Sequence, residues 1–138
     1  MKFLCTVTFL LSLALVAFAR EESILARVTS YWTDEGSNYA STGQRLRAGH
    51  CAVDPNRIPY GSKIVFADGV CTAVDTGPAV VNRKAARRCG RTASQLKAIV
   101  VDRFFETKRE AMAWTNAHPE FITLQIVPPG STRELSET

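Results

Sequence analysis

Histidine is almost absent from this chain, with His50 and His118 the only two, and no C-x-x-C pair occurs. Zinc centres of the usual Cys/His kind are excluded, because their ligand spacings have no counterpart here. The chain also lacks G-x-S-x-G, H-E-x-x-H, a Gly-rich phosphate loop and an EF-hand spacing. Those absences remove serine-elbow hydrolysis, zinc-peptidase chemistry, nucleotide cradling and calcium binding of those types. His50 stands beside Cys51, yet neighbouring strand residues point to opposite faces, so a Cys–His nucleophile is excluded as well. Neither metal nor cofactor is expected.

Acidic residues are missing from one stretch in particular. Between Asn82 and Lys97 stand Arg83, Lys84, Arg87, Arg88, Arg91 and Lys97 without an Asp or Glu among them. Either this is a solvated face, or it draws the protein to a polyanion by non-specific attraction. No aromatic residue interrupts the run to stack bases, which speaks against nucleic acid.

The chain has 138 residues and a formal net charge of +4. Its first 19 positions read as a signal rather than as fold: Met1-Lys2, an apolar run from Phe3 to Phe18, and the A-x-A form of Ala17-Phe18-Ala19. The run is short for a membrane span of about 20 residues, so cleavage after Ala19 and no lasting anchor are expected. The protein is then secreted or periplasmic, with residues 20–127 as one domain and 128–138 as a flexible tail. Cys5 departs with the signal. Export predicts one disulfide among Cys51, Cys71 and Cys89, with the pairing open.

Short apolar and β-branched runs punctuated by turn residues predict strands at Leu25–Trp32, Gly49–Val53, Lys63–Phe66, Val70–Val74, Ile99–Phe104 and Ile122–Val127. This spacing predicts an all-β barrel or sandwich, with a two-residue hairpin around Asp68-Gly69. Thr107-Lys108-Arg109-Glu110 is a T-x-x-E capping box, which predicts a helix ended by Pro119. A second helix over about Asn82 to Lys97 is weakened by Gly90 at its middle.

Three aspartates share a setting: Asp54 in A-V-D-P, Asp75 in A-V-D-T-G and Asp102 in V-V-D-R-F-F. Each follows small or β-branched apolar residues, as at the end of a buried strand. A carboxyl delivered there loses water, and desolvation favours the protonated form that a general acid needs near neutral pH. A carboxylate-only site suits acetal cleavage, in which an acid protonates a leaving oxygen while charge builds on a sugar ring. Asp54 has a second reading, an Asx-turn ahead of Pro55 and Pro59. Tyr31 and Trp32, near a strand end, read as core rather than sugar platforms. Tyr60, in Pro59-Tyr60-Gly61, is the better candidate to line a groove.

These settings, with S-T-G-Q-R-L (Ser41 to Leu46), A-V-D-P-N-R-I-P-Y-G-S-K-I (Ala52 to Ile64), A-V-D-T-G (Ala73 to Gly77), V-D-R-F-F (Val101 to Phe105) and Glu110-Ala111, resemble the three-aspartate (3D) domain, found also in membrane-bound lytic transglycosylase A. The resemblance implies a six-stranded double-psi β-barrel with one or two short helices. It implies binding of peptidoglycan glycan strands and cleavage of the MurNAc-β-1,4-GlcNAc bond without water, leaving a 1,6-anhydro-MurNAc end; a monomer is expected, though the sequence itself does not fix the oligomeric state. By resemblance Asp102 is the acid and base and Asp75 its ionised partner. Asp54, Thr42, Gly43, Tyr60, Thr76 and Gly77 bind substrate or support the site. The family's D-T-G usually continues G-A-I-K-G and reaches its third aspartate sooner. Here Pro78 follows, and the longer stretch to Asp102 is a lid, a wall-binding element or a block. A non-catalytic carbohydrate-binding barrel of the expansin or rare-lipoprotein type is the alternative function.

Overall fold

The computed structural model describes residues 21–33 and 37–131, so the expected signal and residues 132–138 of the expected tail lie outside it. Six strands, β1 (Glu22–Trp32), β2 (His50–Ala52), β3 (Lys63–Phe66), β4 (Gly69–Asp75), β5 (Ile99–Phe105) and β6 (Phe121–Val127), close into a barrel ordered β1-β5-β2-β4-β3-β6. The sheet is mixed: β1–β5 and β2–β4 are parallel, and the other four pairs are antiparallel. Each expected strand is present. β1 starts earlier than its apolar run because Glu22 to Arg27 pair with β6.

Alternation decides which side chains fill the barrel. Ala26 and Val28, Cys51 and Val53, Cys71 and Ala73, Ile99 and Val101, and Leu124 and Ile126 all fall in one buried cluster. The β3–β4 hairpin forms with Phe66 opposite Gly69, so its two turn residues are Ala67 and Asp68, one position earlier than the sequence suggested. Asp68 is tied to Arg103 of β5 by an ion pair of 2.8 Å. The Arg103 side chain, 12% exposed, lies over the rings of Phe66 (4.6 Å), Trp114 (5.1 Å) and Phe105 (5.2 Å). One cation thereby joins the hairpin, β5 and the helix that carries Trp114.

That helix belongs to a set of four short ones among the described residues, α1 (Pro78–Val81), α2 (Lys84–Cys89), α3 (Ala93–Leu96) and α4 (Lys108–Ala117), where the sequence predicted one or two. α4 has the capping box: Glu110 N–H donates to Thr107 Oγ1 at 3.2 Å and Thr107 N–H to Glu110 Oε2 at 3.3 Å. Phe105, just ahead of the cap, packs on the Trp114 ring at 5.8 Å between centroids. α2 and α3 replace the single helix expected over about Asn82 to Lys97, and α1 precedes that range. α2 stops at Gly90, whose backbone is extended. A Cβ there would come within 2.7 Å of the Ala86 carbonyl oxygen and 2.9 Å of the Leu96 nitrogen. Glycine at this position is what lets α2 and α3 approach.

The basic stretch is accordingly a packed layer rather than a free loop. Val80, Ala86 and Ala98 pack with Ala52 and Val100 on the outside of the barrel, and Arg83 donates from Nη1 to the Leu96 carbonyl at 2.9 Å. Lys84, Arg87, Arg88, Arg91 and Lys97 stay exposed.

The expected disulfide is absent: Cys51, Cys71 and Cys89 are all free. Cys51 pairs with Ala73 across β2 and β4, so Cys71 is its diagonal neighbour. Diagonal Cα atoms stand about 7–8 Å apart, beyond the usual reach of a disulfide. Cys89 is on α2, outside the barrel. Burial, and next the neighbouring Cys71, push the Cys51 thiol up and keep it protonated, the unreactive form.

Candidate active site

Ala52 is the pivot of the site. It pairs with Asp102 of β5 on one side and with Asp75 of β4 on the other. Residues paired across strands share a face, so both carboxyl groups emerge where Ala52 presents only a methyl. Two strand spacings separate their backbones, about 10 Å. Asp75 reaches this face through a register shift: Cys51 pairs with Ala73, Ala52 with Asp75, and Val74 is passed over. Strict alternation would have turned Asp75 the way of Cys71 and Ala73, into the barrel.

Thr29 continues the row on β1. It pairs with Asp102, and its hydroxyl donates to Asp102 Oδ1 at 2.9 Å. Asp75 accepts from three groups: Ser41 N–H at 2.7 Å and Thr76 N–H at 2.9 Å on Oδ1, and the Tyr31 hydroxyl at 3.1 Å on Oδ2. Burial first, then the charge and hydrogen bond of Asp75 and the charge of Asp102, hold the Tyr31 phenol far above its ordinary value. Tyr31 is therefore a permanent donor, and its ring packs edge-on to Phe104 at 5.2 Å.

A small hairpin, residues 38–46, closes over Asp75. Tyr39 and Arg45 bridge its stem, Leu46 N–H donates to the Asn38 carbonyl at 2.9 Å, and Ala40 N–H to the Gln44 carbonyl at 2.7 Å. Gly43 turns its tip with φ 88°, a left-handed value that suits glycine. Thr42 then ties the tip to the barrel, its hydroxyl donating at 2.7 Å to the carbonyl of Val74, the residue the register passes over. Thr42 and Gly43 thus shape the loop that holds Asp75.

The remaining candidates fall elsewhere. The Asp54 carboxylate accepts from Asn56 N–H at 3.0 Å, and its carbonyl accepts from Arg57 and Ile58, both at 2.9 Å. Asp54 holds a turn. The Thr76 hydroxyl is covered from solvent and has no partner among the described residues. Gly77 is extended and leads into Pro78 at the start of α1. Tyr60 is exposed, but no hydrogen bond or ring contact joins it to Asp75 among the described residues. Thr29 was not singled out from the sequence, Ser41 entered only as the start of S-T-G-Q-R-L, and Tyr31 was read as core rather than site. Thr29 and Tyr31, two apart on one strand, share a face, which was the available signal; what they face depends on the parallel β1–β5 pairing.

Among the described residues no cluster of His, Cys, Asp and Glu forms a metal site, and no helix is long and apolar enough to cross a membrane. The fold and site define a closed mixed β-barrel with two carboxylates on one face, on the strands that flank β2. Neither a known family model nor a curated protein matches the chain.

Proposed function

We propose that this chain is a three-aspartate barrel of double-psi topology acting as an exported, monomeric peptidoglycan lytic transglycosylase. The observation that carries the reading is the pairing of Asp102 and Asp75 with the same residue, Ala52. The two parallel pairs, β1–β5 and β2–β4, are what support the double-psi connection.

In this reading Asp102 donates its proton to the oxygen bridging N-acetylmuramic acid and N-acetylglucosamine. The C1–O bond breaks and its electron pair leaves with that oxygen. The muramic C6 hydroxyl then closes on C1 and gives its proton back to Asp102. The nucleophile belongs to the substrate, so one residue serves both steps and no water is consumed. Asp75, an acceptor to three donors, faces the positive charge that builds on the ring. Thr29 orients Asp102, and Tyr31 and Ser41 orient Asp75.

Mass spectrometry of purified peptidoglycan after incubation with the protein tests this. Anhydro-muropeptides, lighter by one water than reducing-end products, are expected. Reducing ends alone would mean hydrolysis and would sink the transglycosylase mechanism. Intact glycan retained on the protein would favour the non-catalytic carbohydrate-binding barrel. The observation on that side is that both oxygens of Asp75 are already engaged.

A further inference from the structure

A groove of about 540 Å³ opens between the 38–46 hairpin and the end of β5. Leu46 and Phe104, both buried, share an apolar cluster at its floor. Arg45 and Arg47 flank Leu46 in sequence and line the groove, with Asn38, Thr33 and Glu106 as its remaining polar wall. Neither guanidinium makes an ion pair or a side-chain hydrogen bond among the described residues, whereas Arg27 and Arg103 each do. Two arginines against one glutamate leave the described lining with a single net positive charge, matched to a monoanion. Arginine's planar fork suits a carboxylate.

The groove continues the aspartate row. Phe104 is two residues beyond Asp102 on β5 and shares its face, about 6.6 Å further along. The hairpin that carries Arg45 also places Ser41 on Asp75. Tyr39, 57% exposed, stands opposite Arg45 across the bridge, so its ring and that guanidinium lie on one side. An exposed aromatic ring beside a pair of cations fits an acidic sugar: the ring takes the apolar face of the pyranose, the cations its charge.

From this the geometry points to a subsite for a carboxylate carried on the glycan, held by Arg45 and Arg47, next to Asp102 and Asp75. The inference rests on the glycan-cleaving reading above and adds which substituent the neighbouring unit bears. Two carboxylates meet the description, the free lactyl group of a muramic acid without its peptide and the carboxylates of a peptide stem.

Titration of ¹⁵N-labelled protein with three probes separates them. N-acetylglucosamine carries no carboxylate, N-acetylmuramic acid carries the lactyl one, and muramoyl dipeptide has the lactyl group amidated but bears one peptide carboxylate. One or both acidic probes should shift the Arg45, Leu46 and Arg47 amides and bind about tenfold tighter than N-acetylglucosamine, as one charge-assisted contact implies. The acidic probe that does so names the source. Arg45→Gln/Arg47→Gln, both exposed, should erase the difference while the rest of the spectrum is kept. Equal binding of all three probes, shifts confined to residues around Asp75, no shift with any probe, or a preference that survives the double substitution would each overturn the inference. Anhydro products without any carboxylate preference would sink this subsite alone. A carboxylate preference without anhydro products would sink the transglycosylase reading alone.

Discussion

Asp54 and Asp102 look alike in sequence and differ in what their oxygens do. Asp54 accepts from Asn56 within its own turn, whereas Asp102 sits at mid-strand in β5 with Thr29 beside it. Replacing Asp102 with Asn keeps shape and removes the exchangeable proton. On the proposed mechanism, Asp102→Asn should lower the rate of anhydro-muropeptide release by roughly 10² to 10⁴ while its melting curve stays near wild type. Full turnover by the folded variant would take Asp102 out of the mechanism. Asp54→Ala should do the opposite, losing about 1 kcal/mol of stability with the turn's side-chain bond and leaving the cleavage rate near wild type. A urea midpoint equal to wild type would contradict the turn assignment.

At the scale of elements, the longer stretch after Asp75 is a packed layer. Its apolar residues Val80, Ala86 and Ala98 cover the outside of the barrel around Ala52 and Val100, so α1 to α3 build against the residue that separates the two carboxylates. Gly90 is a point of close backbone approach in that layer. Gly90→Ala forces a methyl against backbone atoms on two sides, which cannot yield as a flexible side chain would. We expect a loss of roughly 1–3 kcal/mol, the usual effect of overpacking, read as a lower urea midpoint. An unchanged midpoint would mean that α2 and α3 separate freely and that the layer is not a fixed wall. The 38–46 hairpin is the matching element near Asp75, fixed by Thr42 on Val74.

At the scale of the whole molecule, charge is spread unevenly and both pH and salt should act on it. Burial first, then the charges of Arg47 and Lys63, hold His50 below its ordinary value. The unfolded chain then binds that proton more readily, so stability rises with pH across the window below about 6.5. His50→Asn, whose amide oxygen can still accept from Arg47 N–H, should flatten that slope in denaturation series at stepped pH. A slope equal to wild type would exclude His50 as its source. The exposed cations on α2 and just beyond it act at longer range. On the proposed function, binding to sacculi should weaken as the Debye length falls from about 10 Å at 0.1 M salt to about 3 Å at 1 M. Replacing Lys84, Arg87, Arg88 and Arg91 with Gln should remove most of that dependence in a pull-down series. A variant that matches wild type at every salt would make the stretch a solvated face and nothing more.

Each strand was legible in the sequence because period-two burial is a local property, as Ile99, Val101, Leu124 and Ile126 illustrate. The α4 start was legible for the same reason, since Thr107 and Glu110 cap it within one turn. The Asp54 turn, too, is made by its immediate neighbours. What the sequence could not decide was anything that depends on which strands lie side by side. The pairing of β2 with both β4 and β5 makes Asp75 and Asp102 neighbours across Ala52, and the step past Val74 turns Asp75 to their common face. Tyr31, expected in the core, reaches Asp75, and Ser41 does so through a hairpin stapled to that same step. The cysteines, expected to pair, are held a diagonal apart by the same register. Local pattern determined the six strands, α4 and the residue types able to do acid chemistry; only the closure of the barrel decided which of them face one another, because contact between distant strands is set by register, which no single strand encodes.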